Sequence, residues 1–270
     1  MYYVFGVLSL TKGRLGALLV ISIGIIYSMY SAAQNDKAVS MNIQAVIFDR
    51  DNTLMHSDTA ATAAIEARIA AVAPTLPPGA VGKHWMAWPG PWPRTIDQEP
   101  AFWQAFWGRL ADQYQLPTGT VAALHEIGMF YHTCFTAFPD TLACLAALRA
   151  RGVRLAILTN FELPSIHLTL QSVGIDPSWF SVLLSSATTG FPKPDVRAYL
   201  AAAAALGLPP SACAFVDDLV PHVEAAQALG MHGWLLDRTG TASASALPQI
   251  GTLLELTTLL DISRNEIIVT

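Results

Sequence analysis

Four aspartates, one lysine, one threonine and one asparagine stand where short apolar runs of this chain end. Asp49 and Asp51 follow Gln44–Phe48 in the run Phe48-Asp49-Arg50-Asp51-Asn52-Thr53. Thr159 and Asn160 close the apolar run that begins at Val153, and Asp217 and Asp218 close the one that begins at Ala212. Lys193 lies in Gly190-Phe191-Pro192-Lys193-Pro194-Asp195, just ahead of an alanine-rich stretch. Several carboxylates in one pocket repel one another and need a cation. Their hard oxygens suit Mg²⁺. A lysine, a threonine hydroxyl, an asparagine amide and backbone N–H groups at helix starts suit phosphate oxygens. Under such screening an aspartate can attack an anionic phosphate. A second acid two residues on can protonate the leaving oxygen and later activate water.

The elements that would position these groups can be read from the pattern. Gln44–Phe48, Val153–Leu158, Ser181–Leu184, Ala212–Val216 and Gly233–Leu236 read as buried strands. Between them, 140–151, 165–173, 195–206 and 220–229 read as helices, each followed by a glycine. Pro248–Leu260 reads as a last helix. This alternation with short connections predicts an α/β fold, a doubly wound parallel sheet covered by helices on both faces. Ligands of such sheets bind outside the carboxyl ends of the strands, where the polar groups collect. The alternation breaks for about eighty residues after the first strand, with no clear strand among them. A stretch of that length predicts an inserted helical subdomain, residues 55–136, in a core made of 41–54 and 137–270. Within it, 60–73, 101–115 and 118–135 read as helices and the Pro/Gly/Trp cluster 77–93 as loop.

Composition narrows the function. The 270 residues carry a formal net charge of -5 with no long basic run, which argues against nucleic-acid binding. Cys134, Cys144 and Cys213 lack metal or CxxC spacing and read as small buried hydrophobes in a reducing compartment. Residues 1–40 admit three readings. Lys12 and Arg14 ahead of apolar Leu15–Tyr30 and Ser31-Ala32-Ala33 fit a cleaved signal or a membrane anchor of marginal length. Alternatively, Met41 is the true start and the upstream segment a mis-assigned extension. The core is therefore expected in the cytoplasm, membrane-anchored if that segment is authentic.

The motifs resemble those of the haloacid dehalogenase (HAD) superfamily. Asp49-Arg50-Asp51-Asn52-Thr53 is similar to its DxDxT motif, and Ile157-Leu158-Thr159-Asn160 to its second. Lys193-Pro194-Asp195 is similar to the third and Phe215-Val216-Asp217-Asp218 to the fourth, in family order across about residues 43–262. The resemblance implies a HAD-like Rossmannoid core with a helical cap, and Mg²⁺-dependent hydrolysis of a small phosphorylated metabolite. It implies Asp49 as nucleophile, forming an aspartyl-phosphate. Asp51 would be acid and base, its carbonyl also on Mg²⁺, and Thr159 and Asn160 would hold the phosphate. Lys193 would neutralise charge and Asp218 bind the metal, with Asp217 either a further ligand or behind it. Where relatives often carry Asn or Asp four residues after the second Asp, this chain has His222. It reads as a surface or helix-start residue, or as a support for Asp218 or Lys193.

Dehalogenases of the superfamily typically lack an acid two residues after the nucleophile, because a halide leaves without a proton; Asp51 therefore favours phosphate chemistry. A phosphomutase and a non-catalytic scaffold are the alternatives. The expected cap holds Trp85, Trp88, Trp92, Trp103 and Trp107. Trp103 and Trp107, at i, i+4 spacing, should pack inward. Trp85, Trp88 and Trp92 either face substrate, hinting at an apolar or aromatic leaving group, or pack between cap and core. Lys83, His84 and Arg94 read as solvated surface, or as contacts to an anionic substrate. The sequence does not separate a monomer from a homodimer.

Overall fold

Residues 42–241 and 245–265 are described by the computed structural model. The apolar runs become strands of one parallel sheet: β1 (Ala45–Phe48), β4 (Arg154–Thr159), β5 (Phe180–Ser185), β6 (Cys213–Asp217) and β7 (His232–Leu236). Two further strands, β2 (Met55–Ser57) and β3 (Phe135–Ala137), pair with each other antiparallel, away from this sheet. A two-residue strand, β8 (Gln249–Ile250), adds a sixth member that the sequence reading merged into the last helix, so the order is β5-β4-β1-β6-β7-β8. β1 is central, and every residue of it is buried. Its alternate side chains feed two cores. Val46 and Phe48 join Cys144, Leu145 and Leu170 on one face, while Ala45 and Ile47 join Ala198, Tyr199 and Phe215 on the other.

Register fixes the site. Phe48 lies opposite Ile157 on one side and Val216 on the other. The next residues, Asp49, Leu158 and Asp217, therefore emerge together at the carboxyl edge. Asn52 takes the left-handed conformation, φ 58, which a short polar side chain tolerates. The turn closes as Leu54 and Met55 donate to the carbonyl of Arg50.

The insert between β2 and β3 contains α1 (Thr59–Val72), α2 (Ala80–Met86), α3 (Glu99–Tyr114) and α4 (Thr120–Gly128). Trp103 and Trp107 pack inward as expected, beside Phe106 and Leu110. Three expectations need correction. The Pro/Gly/Trp cluster is not all loop: Gly79, at φ 71, starts α2, so the Pro77-Pro78-Gly79 run is a helix entry. The helix expected over 118–135 stops at Gly128, where a Cβ would meet the Trp107 ring at 2.5 Å; the chain then makes one tight turn and enters β3. His84 is no surface residue. It is buried edge-on against Phe106, and burial lowers its pKa.

Core helices follow as α5 (Thr141–Ala150), α6 (Ile166–Ser172), the one-turn α7 (Ser186–Thr189), α8 (Val196–Leu206), α9 (Val220–Ala228) and α10 (Leu253–Asn265). The three cysteines are free thiols. No helix among the described residues is long and apolar enough to cross a membrane. Residues 1–40, with their three readings, lie outside the described residues.

Candidate active site

Lys193 is the hub of the strand edge. It is 3% exposed, and its Nζ donates to Asp49 Oδ1 at 2.6 Å and to Asp217 Oδ2 at 2.5 Å. Burial opposes its charge, but the two carboxylates outweigh that and hold its pKa above normal. One cation shared between two buried acids leaves Asp49 under-compensated. Burial, offset only in part by Lys193 and reinforced by the charge of Asp217, pushes the Asp49 pKa up to about 7.

Asp217 and Asp218 differ although adjacent. Asp217 is fully buried, and both its oxygens are occupied. Oδ1 accepts from Leu219 N at 2.9 Å, Oδ2 from Lys193, and His222 Nδ1 lies 3.0 Å from each. Burial alone would raise its pKa, but the His222 hydrogen bond and the Lys193 charge override it and the pKa is lowered. Asp218 is half-buried and forms no side-chain ion pair among the described residues. Burial and then the Asp217 charge raise its pKa. Asp49, Asp217 and Asp218 each offer an oxygen within 4.8 Å of the others. An all-carboxylate set of this compactness fits a hard divalent cation such as Mg²⁺. Asp49 and Asp218 have capacity to spare, whereas Asp217 is committed to its protein partners.

The remaining expected residues are placed less uniformly. Thr159 is buried at the end of β4, its Oγ1 accepting from Phe161 N. Asn160 turns its side-chain amide to the backbone of Lys193. Its Nδ2 donates to the Lys193 carbonyl at 2.9 Å and its Oδ1 accepts from Lys193 N at 2.7 Å. The side chain fixes the loop carrying the lysine. His222 lies at the start of α9 as one reading had it, but buried: it contacts Asp217 directly and supports Lys193 through that shared carboxylate.

Arg50 is the group the sequence reading passed over. It is 1% exposed, with its guanidinium 3.9 Å from the Phe161 ring centroid and 4.7 Å from that of Phe135. From between the two rings it donates to both oxygens of Asp51, Nη2 lying at 2.8 and 2.9 Å. The acid two residues after Asp49 thus sits in a planar, two-point grip backed by aromatic faces. An Arg inside DxDxT was the available sign, but its partners are remote in sequence.

The insert is tied to this edge. Glu99, on α3, accepts from Ser165 N at 2.8 Å and Ser165 Oγ at 2.9 Å, and Tyr131 hydrogen-bonds the same hydroxyl at 2.6 Å. Burial, partly offset by those bonds, raises the Glu99 pKa.

Residues 43–230 match the family model described as haloacid dehalogenase-like hydrolase. The chain is 31% identical over 218 residues to phosphatase MT3486 of Mycobacterium tuberculosis (strain CDC 1551 / Oshkosh), covering 79% of this chain and 96% of that protein. Among solved structures, a HAD phosphatase from Thermococcus onnurineus superposes with a TM-score of 0.58 at 20% identity, over 81% of this chain and 98% of that one. A 2-haloacid dehalogenase from Pseudomonas syringae pv. Tomato DC3000 gives 0.60 at 24% identity, also over 81% and 98%. The chain belongs to the haloacid dehalogenase-like hydrolase family and is a hydrolase of its phosphatase-like kind.

Proposed function

We propose that this chain is a Mg²⁺-dependent phosphatase that hydrolyses a small phosphomonoester through an aspartyl-phosphate on Asp49. The observation that carries the reading is the clamp of Lys193 on Asp49 and Asp217 with Asp218 beside it. Asp49, Asp218 and the backbone carbonyl of Asp51 would hold the metal. When bound, it would offset the negative charge that otherwise keeps a phosphate away. A carboxylate oxygen of Asp49 attacks phosphorus as the ester P–O bond breaks, and Asp51 gives its proton to the departing alkoxide. Asp51 then takes a proton from water, which attacks the phosphorus of the acyl phosphate and releases phosphate and free Asp49. Lys193 neutralises charge on nucleophile and phosphate, Thr159 supplies a hydroxyl, and Asn160 acts by holding Lys193. Asp217 and His222 anchor the lysine from behind. The insert serves as the cap that keeps bulk water out during the first transfer.

Asp51 also favours phosphate chemistry over the dehalogenase reading that some structural neighbours suggest. A halide needs no proton, so such an enzyme has no use for an acid gripped by Arg50 at this position.

The test is turnover of p-nitrophenyl phosphate with and without Mg²⁺, alongside acid-quenched trapping of a labelled phosphoenzyme. Activity should vanish on chelation. Metal ligands must be deprotonated, and Asp49 and Asp218 both hold their protons above the usual carboxylate range, so apparent Mg²⁺ affinity should rise with pH in the acid range. An enzyme that hydrolyses no phosphomonoester in a broad panel, or that ignores chelation, would sink the reading.

Arg50 gives a separate expectation. Arg50→Met should lower kcat by roughly tenfold to a hundredfold through misplacement of Asp51. KM should change by less than about threefold. Arg50→Lys should not restore kcat, because lysine lacks the planar guanidinium that packs on the Phe135 and Phe161 rings while it contacts both Asp51 oxygens. Equal losses in kcat and melting temperature that lysine repairs would reduce Arg50 to a packing role.

A further inference from the structure

The family's site accounts for the polar edge of the sheet but leaves a large apolar feature without a use. Within the insert, and closed on one side by Phe161 of the core, lies a cleft of about 420 Å³, within the rough 300–1,000 Å³ range of small-molecule sites. Trp85, Trp103 and Phe106 line it from the insert, Tyr131 and Phe135 from the segment returning to the core, and Phe161 from the loop after β4. None of its lining residues is charged. Trp103, Phe106 and Trp107 form its buried floor, while Trp85, Tyr131, Phe135 and Phe161 stay partly exposed at its rim, and a partly exposed aromatic wall marks a binding surface more often than a defect.

Its position says what would bind. Phe135 and Phe161, two of its walls, are the rings that sandwich Arg50, and Arg50 grips Asp51. Phe161 comes two residues after Thr159. Glu162, the next residue, interacts with Trp85 of the cleft as well as with Arg50 and Asp51. The cleft therefore reaches the Asp51 carboxyl group through the shared Phe135 and Phe161 rings and Arg50. Whatever is attached to the leaving oxygen extends toward the Asp51 side of the site.

We propose that this cleft receives the apolar chain of the leaving alcohol, so that the substrates are phosphate monoesters of hydrophobic alcohols, not of sugars or nucleosides. This rests on the phosphatase reading and narrows it. A polyhydroxylated leaving group would lose water there and find almost no hydrogen-bond partner in return. An alkyl or isoprenoid chain gains with each buried methylene. Of the three tryptophans near the start of the insert, only Trp85 lines this cleft. Trp88 and Trp92 line a separate depression with Pro91, Pro93 and Arg94.

The experiment uses the full chain with Mg²⁺ and a series of butyl, hexyl, octyl and decyl phosphates below their micellar concentrations, with glycerol phosphate as the polar control. Full burial would raise kcat/KM by about fourfold per methylene, so at least a hundredfold gain from butyl to decyl is expected. Geranyl phosphate in parallel separates an isoprenoid chain from a straight one, and a preference for either over butyl phosphate supports the proposal. Gly82→Leu tests the cleft itself. Gly82 lines it on α2, and a Cβ there meets nothing within 4 Å, so the variant should fold with an unchanged or higher melting temperature. It should cut the decyl-to-butyl ratio at least tenfold. Decanol should perturb the intrinsic tryptophan fluorescence of the wild type and not of Gly82→Leu. Flat kcat/KM along the series, in an enzyme that turns over both ends, overturns the proposal and leaves the phosphatase reading intact. Decanol binding that Gly82→Leu abolishes, with no ester hydrolysed, removes the phosphatase reading and supports the apolar site.

Discussion

Asp49→Asn is expected to eliminate phosphate-ester turnover, a loss on the order of 10⁴-fold or more, because no other group can form the covalent intermediate. The fold should survive. Asparagine keeps the shape, and Lys193 retains Asp217 as a partner at 2.5 Å. The change should also leave a mark on stability that is independent of activity. The folded-state pKa of Asp49, about 7, lies above the ordinary aspartate value of 3.8. Between those values the native state binds the proton more tightly than the unfolded chain. The contribution is therefore fully present below about pH 4 and is lost as pH rises to about 7. Its limiting size is on the order of 4 kcal/mol. Asparagine does not titrate, so the variant should lack this decline. Urea unfolding of both proteins in chelator at pH 4.5 and pH 8 checks it. Parallel pH dependence would show that Asp49 is ionised throughout, and residual turnover above about 1% would show that it is not the nucleophile.

The parts of this site legible in the sequence are those fixed by local rules. A strand buried on both faces is a continuous apolar run, so the polar residues that end it stand out, and Asp49, Thr159 and Asp217 were found that way. The parallel register then brought Asp49 and Asp217 together. What the sequence could not supply is how side chains pair across distance. Asn160 stands out as a candidate phosphate ligand, but that its amide also bonds the backbone of Lys193 shows only in the fold. His222 is the helix-start residue its position suggests, but that α9 turns it onto Asp217 shows only in the fold. Arg50 looks like a spacer until two rings from distant segments close on it. In the insert, β2 and β3 have only three residues each, too few for an alternating pattern to show. Their pairing is what brings Phe135 back to Arg50.

Lys193→Met should cost both activity and stability, and the two should separate when combined with Asp49→Asn. Without the ammonium group, Asp49 and Asp217 face each other in a buried site with no lysine between them. Breaking a buried ion pair in this way costs roughly 3–5 kcal/mol. The cost should grow with pH, because acid lets the carboxyls protonate and escape the repulsion. Adding Asp49→Asn removes one of the two charges. The double variant should therefore recover part of the lost stability and none of the activity. The coupling energy between the positions would be large, as expected for groups in contact at 2.6 Å. Mg²⁺ offers a second check, since a cation bound by Asp49 and Asp218 substitutes for the missing positive charge. It should raise the melting temperature of Lys193→Met more than that of the wild type, through preferential binding to the folded state. Additive stability losses at positions 49 and 193 would show that the lysine and the nucleophile are not coupled. In that case the clamp could not be what keeps Asp49 poised between protonated and ionised forms near neutral pH, and the case for a metal-triggered nucleophile would lose its physical basis.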